Sequence, residues 1–260
     1  MRIVLGLEYC GVGFCGWQSQ PQGCGVQDAL EAAVSAIAGG KTVVTAAGRT
    51  DTGVHAAFQV AHFDVTVDRP LTAWVRGVNS HLPAGVAVLW AREVSEAFHA
   101  RFAATQRGYR YVLLNHPVRP GLNHGLIGWH HRPLDADAMN RAAAQLIGLH
   151  DFSAFRAAEC QAKSPVKELR LARIERRGDY LLCDFQADGF LHHMVRNLMG
   201  SLVQVGAKVQ PPEWMGELLQ SRDRTLAAPT FDAAGLYLTH IRYPAHFALP
   251  ESSDRWPFAT

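Results

Sequence analysis

The order in which short strand-like and helix-like runs follow one another constrains this chain most. Residues 2–9 (RIVLGLEY) alternate and are rich in β-branched and aromatic types, a strand pattern. A Gly-rich loop at 11–25 leads into 27–38, where Leu30, Ala33, Val34 and Ile37 recur at helical spacing and Gly39-Gly40 stops the helix. Strands are expected at 41–46 and 58–67, joined through Gly48-Arg49-Thr50-Asp51-Thr52-Gly53, then a helix over 71–80 and a strand over 86–94. The second half runs the same way. A strand at 108–115 precedes a helix at 135–147, which Pro133 and acidic first-turn residues introduce. A hairpin of 169–176 and 180–187 turns around Arg177-Gly178-Asp179. A long helix at 189–205, a short one after Pro211-Pro212 and a last strand at 235–242 follow.

Each half therefore reads β-α-β-β-α-β, the split βαβ order of a ferredoxin-like unit. The expected fold class is α+β: two such units joined side by side into one mixed or antiparallel sheet, with a central cleft for an active site. The expected division is 1–104, 105–247 and a tail, 248–260, that has no periodicity and wraps the surface with Pro250 and Pro257. A chain of 260 residues, 48% of them hydrophobic and 18% charged, has ample material for two small cores.

No apolar run is long enough to cross a bilayer, and no charged segment leads into an apolar one near Met1, so a soluble, cytoplasmic protein without an export signal is expected. Cys10, Cys15, Cys24, Cys160 and Cys183 are odd in number and form no C-x-x-C pair. This favours reduced, packed thiols over a disulfide framework or a zinc site, with a metal at the first three as the weaker alternative. The thirteen histidines are scattered. His192 and His193, adjacent on an expected helix, point about 100° apart and cannot chelate together, so no metal is expected. Net charge is only +2, but 21 Arg stand against 4 Lys, and Arg is the better fork for phosphate. Arg101, Arg107, Arg110 and Arg119 form one basic group; Lys163, Lys167, Arg170, Arg173, Arg176 and Arg177 form another. Such groups suggest RNA but are more often solvated faces.

The stretch from Ala47 to Ala56, AGRTDTGVHA, is a polar loop between two apolar strands, bracketed by Gly48 and Gly53. An Asp flanked by two Thr can be held rigidly, the hydroxyls capping local backbone donors. Read by spacing alone, Asp51 either caps a well-made turn or is a reactive carboxylate.

The segment GRTDTGVHA resembles the signature loop of the tRNA pseudouridine synthase A family, G-R-T-D-x-G-V-H-A. The similarity spans nearly the whole chain. It includes Tyr9-Cys10-Gly11 through Phe14-Cys15-Gly16-Trp17-Gln18, Phe98-His99-Ala100-Arg101-Phe102, Tyr109-Arg110-Tyr111 and Asp151-Phe152-Ser153-Ala154-Phe155. It continues through Phe190 to Asn197, then Ala227-Ala228-Pro229 and Gly235-Leu236-Tyr237-Leu238. The family's final proline element matches only approximately at Pro229. The resemblance implies the pseudouridine synthase fold and isomerisation of uridine to pseudouridine at positions 38, 39 and 40 of the tRNA anticodon arm, without a cofactor. It also implies a homodimer in which one tRNA contacts both subunits.

Carried onto this sequence, the resemblance makes Asp51 the catalytic carboxylate, acting as nucleophile at C1′ or as base on the 2′ proton. Either role needs an ionised carboxylate and hence a nearby cation. Arg196, on an otherwise apolar helix, is the candidate. Arg49 would help extrude the target uridine, a step costing a few kcal/mol. Tyr109 would stack on the extruded base and relay the C5 proton; Leu236 would pack on the base's other face.

Two rivals remain. Asp51-Thr52-Gly53 is also the tripeptide of aspartic proteases, but those sites share a proton between two carboxylates, and Arg49 argues against that. A non-catalytic RNA-binding module would account for Tyr109, Tyr111 and the arginines, but not for a rigid loop built around an Asp.

Overall fold

The structure, a computed structural model, describes residues 1–251. In chain order its main elements are β1 (Arg2–Tyr9), α1 (Val26–Ala38), β2 (Thr45–Ala46), β3 (His55–Asp64), a π-helical turn (Ala73–Gly77) running into α2 (Val78–His81), and β4 (Val86–Val94). Then come β5 (Gln106–Asn115), β6 (Gly128–His130), α3 (Ala136–Ala144), β7 (Gly148–Asp151), β8 (Val166–Arg177), β9 (Tyr180–Ala187), α4 (Met194–Gly206), α5 (Trp214–Ser221) and β10 (Leu236–Arg242). The fold is α+β, as the element order predicts. Packing divides the chain into two compact units, residues 1–106 with the segment from Tyr237 onward, and Arg107–Leu236.

In the first unit β1 lies between β4 and β3, antiparallel to both, and β2 pairs antiparallel with β3. The order β4-β1-β3-β2 is that of a ferredoxin-like sheet. β10 adds a parallel partner to β3, Tyr237 opposite His55 and Leu238 opposite Ala56, which makes the sheet mixed. β3 is buried at eight of its ten residues, the mark of a strand covered on both faces rather than an alternating one. α1 starts where the Asp28 carboxylate accepts the Gly25 N–H at 2.8 Å, and it ends at Gly39, whose N–H donates to Ser35 O. It buries Val26, Leu30, Ala33 and Val34; of the four positions the spacing predicts, Ile37 alone is only partly buried.

In the second unit the order is β5-β9-β8-β7, antiparallel throughout, and β6 adds a parallel strand to β5. The β8–β9 hairpin turns at Gly178 as expected, although β8 begins earlier, at Val166. α3 is capped by the Asp135 carboxylate, which accepts the Ala138 N–H at 2.9 Å.

Several expectations need correction. The helix expected at 189–205 begins only at Met194. His193 sits before it at φ 60° with its ring centroid 4.0 Å from that of His192, so the two histidines do not diverge on a helix. The strand expected at 41–46 is reduced to Thr45–Ala46, because the backbone around Thr42 and Val44 bonds to Ser35 and Glu31 of α1 instead of a neighbouring strand. Cys15 and Cys24, expected as free thiols, form a disulfide with Cα atoms 5.3 Å apart, while Cys10, Cys160 and Cys183 are free. Cysteine spacing within a Gly-rich loop does not reveal whether the loop folds back on itself. Of the expected tail, residues 252–260, Pro257 among them, lie outside the described residues; just before it Pro244 precedes a short 3-10 turn, Ala245–Phe247. Among the described residues no helix is long and apolar enough to cross a membrane.

Candidate active site

The loop Gly48–Val54 connects β2 to β3 and is held along its whole length by the first unit. Asp51 O accepts the Val54 N–H at 3.0 Å, closing a turn that starts at Asp51 and runs through Thr52 and Gly53, the latter at φ 78°. Burial alternates at the start of the loop: Arg49 is exposed, Thr50 buried, Asp51 partly exposed. Thr50 does not cap a local backbone donor as expected. Its hydroxyl meets the Tyr9 hydroxyl at 2.8 Å, 41 residues away in sequence.

The N-terminal motif supplies the cradle. Trp17 N–H donates to Thr50 O at 2.9 Å, and Gly11 N–H donates to His55 Nδ1 at 3.0 Å. Gly11 packs so closely on the Val54 carbonyl that no side chain would fit, and Gly16 lies against the backbone of Thr50 and Asp51. The two motifs, separated in sequence, thus form one piece of structure. Gln59 completes it from β3: its Nε2 donates to Gly48 O at 2.8 Å and approaches the Tyr9 hydroxyl at 3.4 Å. Gln59, Tyr9 and Thr50 are 0%, 4% and 6% exposed. Burial pushes the Tyr9 phenol up to about 12, against smaller opposing effects of its hydrogen bonds to Thr50 and Gln59, so it stays protonated at neutral pH. Behind the loop His55 stacks on Tyr237, ring centroids 4.5 Å apart, and burial raises the Tyr237 phenol as well.

The second unit carries Tyr109, Arg196 and Leu236. Tyr109 projects half-buried from β5, where Phe190 meets its ring edge-on at a centroid distance of 5.1 Å. Tyr111, two residues on, is fully buried with its hydroxyl donating to Asp232 O at 2.9 Å. Tyr111 is therefore no exposed stacking platform, which removes one support of the RNA-binding-module reading. Arg196, near the start of α4, is half-buried and its Nε donates to Phe231 O at 2.9 Å, while Phe231 N–H donates to Arg196 O at 3.1 Å. This double tie fixes the guanidinium to the segment that leads into Leu236, which is 4% exposed.

The same segment is anchored by a buried polar face of α4. Asn197 donates to Phe155 O and accepts from Arg224 and Thr230, and Ser201 accepts the Ala228 N–H. Gly200 lets the Pro229 carbonyl touch the helix. Ala227-Ala228-Pro229 is thus the strap that holds Phe231 against Arg196.

Four arginines of the basic clusters pair with nearby carboxylates. Arg110 forms a two-pronged pair with Asp184 at 2.6 and 2.9 Å, and that hydrogen bond raises its pKa. Arg170 pairs with Glu168, and Arg173 and Arg177 share Glu175. In the second cluster three of the six cations are thus paired, with two glutamates between them.

The structure thus places Asp51 and Arg49 on one loop of the first unit, and Tyr109, Arg196 and Leu236 on connected elements of the second. Sequence reasoning missed Gln59 and the pairing of Tyr9 with Thr50. The available signal was a single amide side chain inside the otherwise apolar stretch AAFQVA of β3.

Comparison with known proteins shows the family. The tRNA pseudouridine synthase family profile matches residues 7–103 and 142–244. The chain is 82% identical over 259 residues to tRNA pseudouridine synthase A of Thiobacillus denitrificans, covering 100% of both sequences. It is 60% identical over 254 residues to that of Dechloromonas aromatica, covering 98% of this chain and 97% of the relative. It is 57% identical over 250 residues to that of Methylobacillus flagellatus, covering 96% of each. With about three quarters of its length in the family profile, and its signature loop clamped by its own N-terminal motif, the chain belongs to the tRNA pseudouridine synthase A family.

Proposed function

We propose that this protein converts uridine to pseudouridine at positions 38, 39 and 40 of the tRNA anticodon stem-loop, with Asp51 as the catalytic carboxylate. Family membership makes the chain a tRNA pseudouridine synthase, an isomerase; the positions and the residue roles are the proposal. The observation that supports Asp51 is its setting: a carboxylate on a turn clamped from three sides by buried hydrogen bonds, yet itself partly exposed.

The reaction breaks the bond between ribose C1′ and uracil N1, turns the base and joins C1′ to C5; C5 loses its proton and N1 gains one. Atoms and electrons balance without an external oxidant, so neither cofactor nor metal is invoked. Asp51 either adds to C1′ or removes the 2′ proton; both need it ionised, and Arg196 is assigned the compensating charge. Tyr109 offers a face for the extruded base and a hydroxyl for the C5 proton, Leu236 an apolar surface for the opposite face, and exposed Arg49 a cation to help draw the uridine out of the stem. A homodimer that engages one tRNA with both subunits, working in the cytoplasm, completes the proposal.

The test is tritium release from unmodified tRNA labelled at uridine C5. Wild-type protein should release tritium, and Asp51→Asn should release less by about 10³-fold or more while keeping its affinity for tRNA. Release by Asp51→Asn at the wild-type rate would remove Asp51 from the chemistry.

A further inference from the structure

The Tyr9–Thr50–Gln59 network is more than core filling. It lies where a strand irregularity redirects a side chain toward the signature loop. β1 and β3 pair in regular register from Arg2 opposite Asp64 to Leu7 opposite Gln59, but Tyr9 lies opposite Ala56, one residue out of step. Such a bulge re-aims the side chain that follows it. Here it accompanies a Tyr9 hydroxyl that reaches the side chain immediately before Asp51.

We infer that Tyr9 and Gln59 are positioning residues that hold Thr50, and through it the Asp51 carboxylate, in the geometry the reaction requires. This rests on the assignment of Asp51 above. Gln59 uses its amide to hold Gly48 O and donates toward the Tyr9 oxygen. The Tyr9 proton is then left to donate to Thr50 Oγ1. The Trp17 N–H holds the Thr50 carbonyl from the other side. The residue before Asp51 is thus fixed at both its side chain and its backbone. All three side chains are buried, so water does not readily replace a lost partner, and the loop must shift instead. A shift of about 1 Å at a reacting group can cost on the order of 100-fold in rate.

The experiment uses full-length protein and unmodified tRNA, well below the measured melting temperature. Tyr9→Phe and Thr50→Val each delete the hydrogen bond with little change of shape, and Thr50→Ser keeps the hydroxyl. The expected result is a kcat lowered about 10- to 100-fold in Tyr9→Phe and Thr50→Val, with KM and tRNA affinity within about twofold of wild type. Thr50→Ser should recover to within a few-fold. Wild-type kcat in Tyr9→Phe and Thr50→Val, with Asp51→Asn inactive, overturns the positioning role while leaving the Asp51 assignment intact. Equal loss in Thr50→Ser and Thr50→Val also overturns it, because the hydroxyl would not be what matters. An active Asp51→Asn would instead defeat the functional reading on which the inference rests. If Tyr9→Phe does not fold, the Thr50 pair decides.

Discussion

Gly16 lies against Thr50 so closely that a β-carbon there would be 2.7 Å from the Thr50 carbonyl oxygen, and Gly16 itself adopts φ +89°. Both facts require glycine, one for space and one for backbone conformation. Gly16→Ala should cost roughly 1–3 kcal/mol from backbone strain alone. It should also push the loop carrying Asp51, so that activity falls more than the folded fraction does. Thermal unfolding and single-turnover rates on the same preparation check this. A variant with wild-type stability and rate would show that the contact has slack.

His62 gives the first unit a pH dependence. It is buried, and burial, Arg2 and then His99 depress its pKa from the ordinary histidine value to about 4, against an opposing pull from Asp64. Because the folded pKa lies below the unfolded one, the unfolded chain binds more protons between about pH 6.5 and 4. The contribution of neutral His62 is therefore full above pH 6.5 and is lost as pH falls toward 4, to a total of up to about 3 kcal/mol. Urea midpoints measured from pH 4 to pH 7 should rise with pH, and His62→Gln should flatten that rise. Equal slopes in both proteins would assign the pH dependence to other groups.

The Cys15–Cys24 disulfide closes the loop that carries Gly16 and Trp17 onto Thr50. A cross-link over so short a loop stabilises by about 2–3 kcal/mol in the chain-entropy account. Reductant should lower the melting temperature of the oxidised protein, and Cys15→Ser should lose that sensitivity. Alkylation of unreduced, denatured protein should label Cys10, Cys160 and Cys183 but not Cys15 or Cys24. Labelling of all five would show the bond absent in solution.

Binding of tRNA should weaken by about tenfold or more between 50 and 200 mM salt, since phosphate contacts release counterions. Because Arg170, Arg173 and Arg177 are already paired with Glu168 and Glu175, alanine at any of these arginines should change affinity less than alanine at exposed Arg49. Filter binding across a salt series measures both effects. A flat profile would count against an RNA substrate.

The two halves of the chain differ in how much of their structure the sequence reveals. α1 ends where Gly39 follows the last apolar repeat, and α3 begins where Asp135 can cap it, because these are local events decided by neighbours three or four residues away. α4 begins five residues later than its periodicity suggests. Gly189 to His193 are equally compatible with a helix, but tertiary contacts such as Tyr109 on Phe190 and His192 N–H on the Cys160 sulfur take them instead. The candidate site was legible as the nine-residue segment around Asp51, where glycine spacing and polar residues mark a constrained loop. The partners that constrain it were not.

By itself the sequence determined the alternation of strand and helix, the ferredoxin-like order of the first unit, the turns at Gly39 and Gly178, and membership in a family of tRNA-modifying enzymes. Only the tertiary structure decided that Tyr9 would reach Thr50, that Gln59 would hold Gly48, that Cys15 would join Cys24, and that Tyr237 would pair with His55. Periodicity and capping act over a few residues and leave a local trace in the chain. Strand register and buried hydrogen bonds join residues tens to hundreds of positions apart, and they are chosen by the collective need to satisfy every polar group that the core encloses.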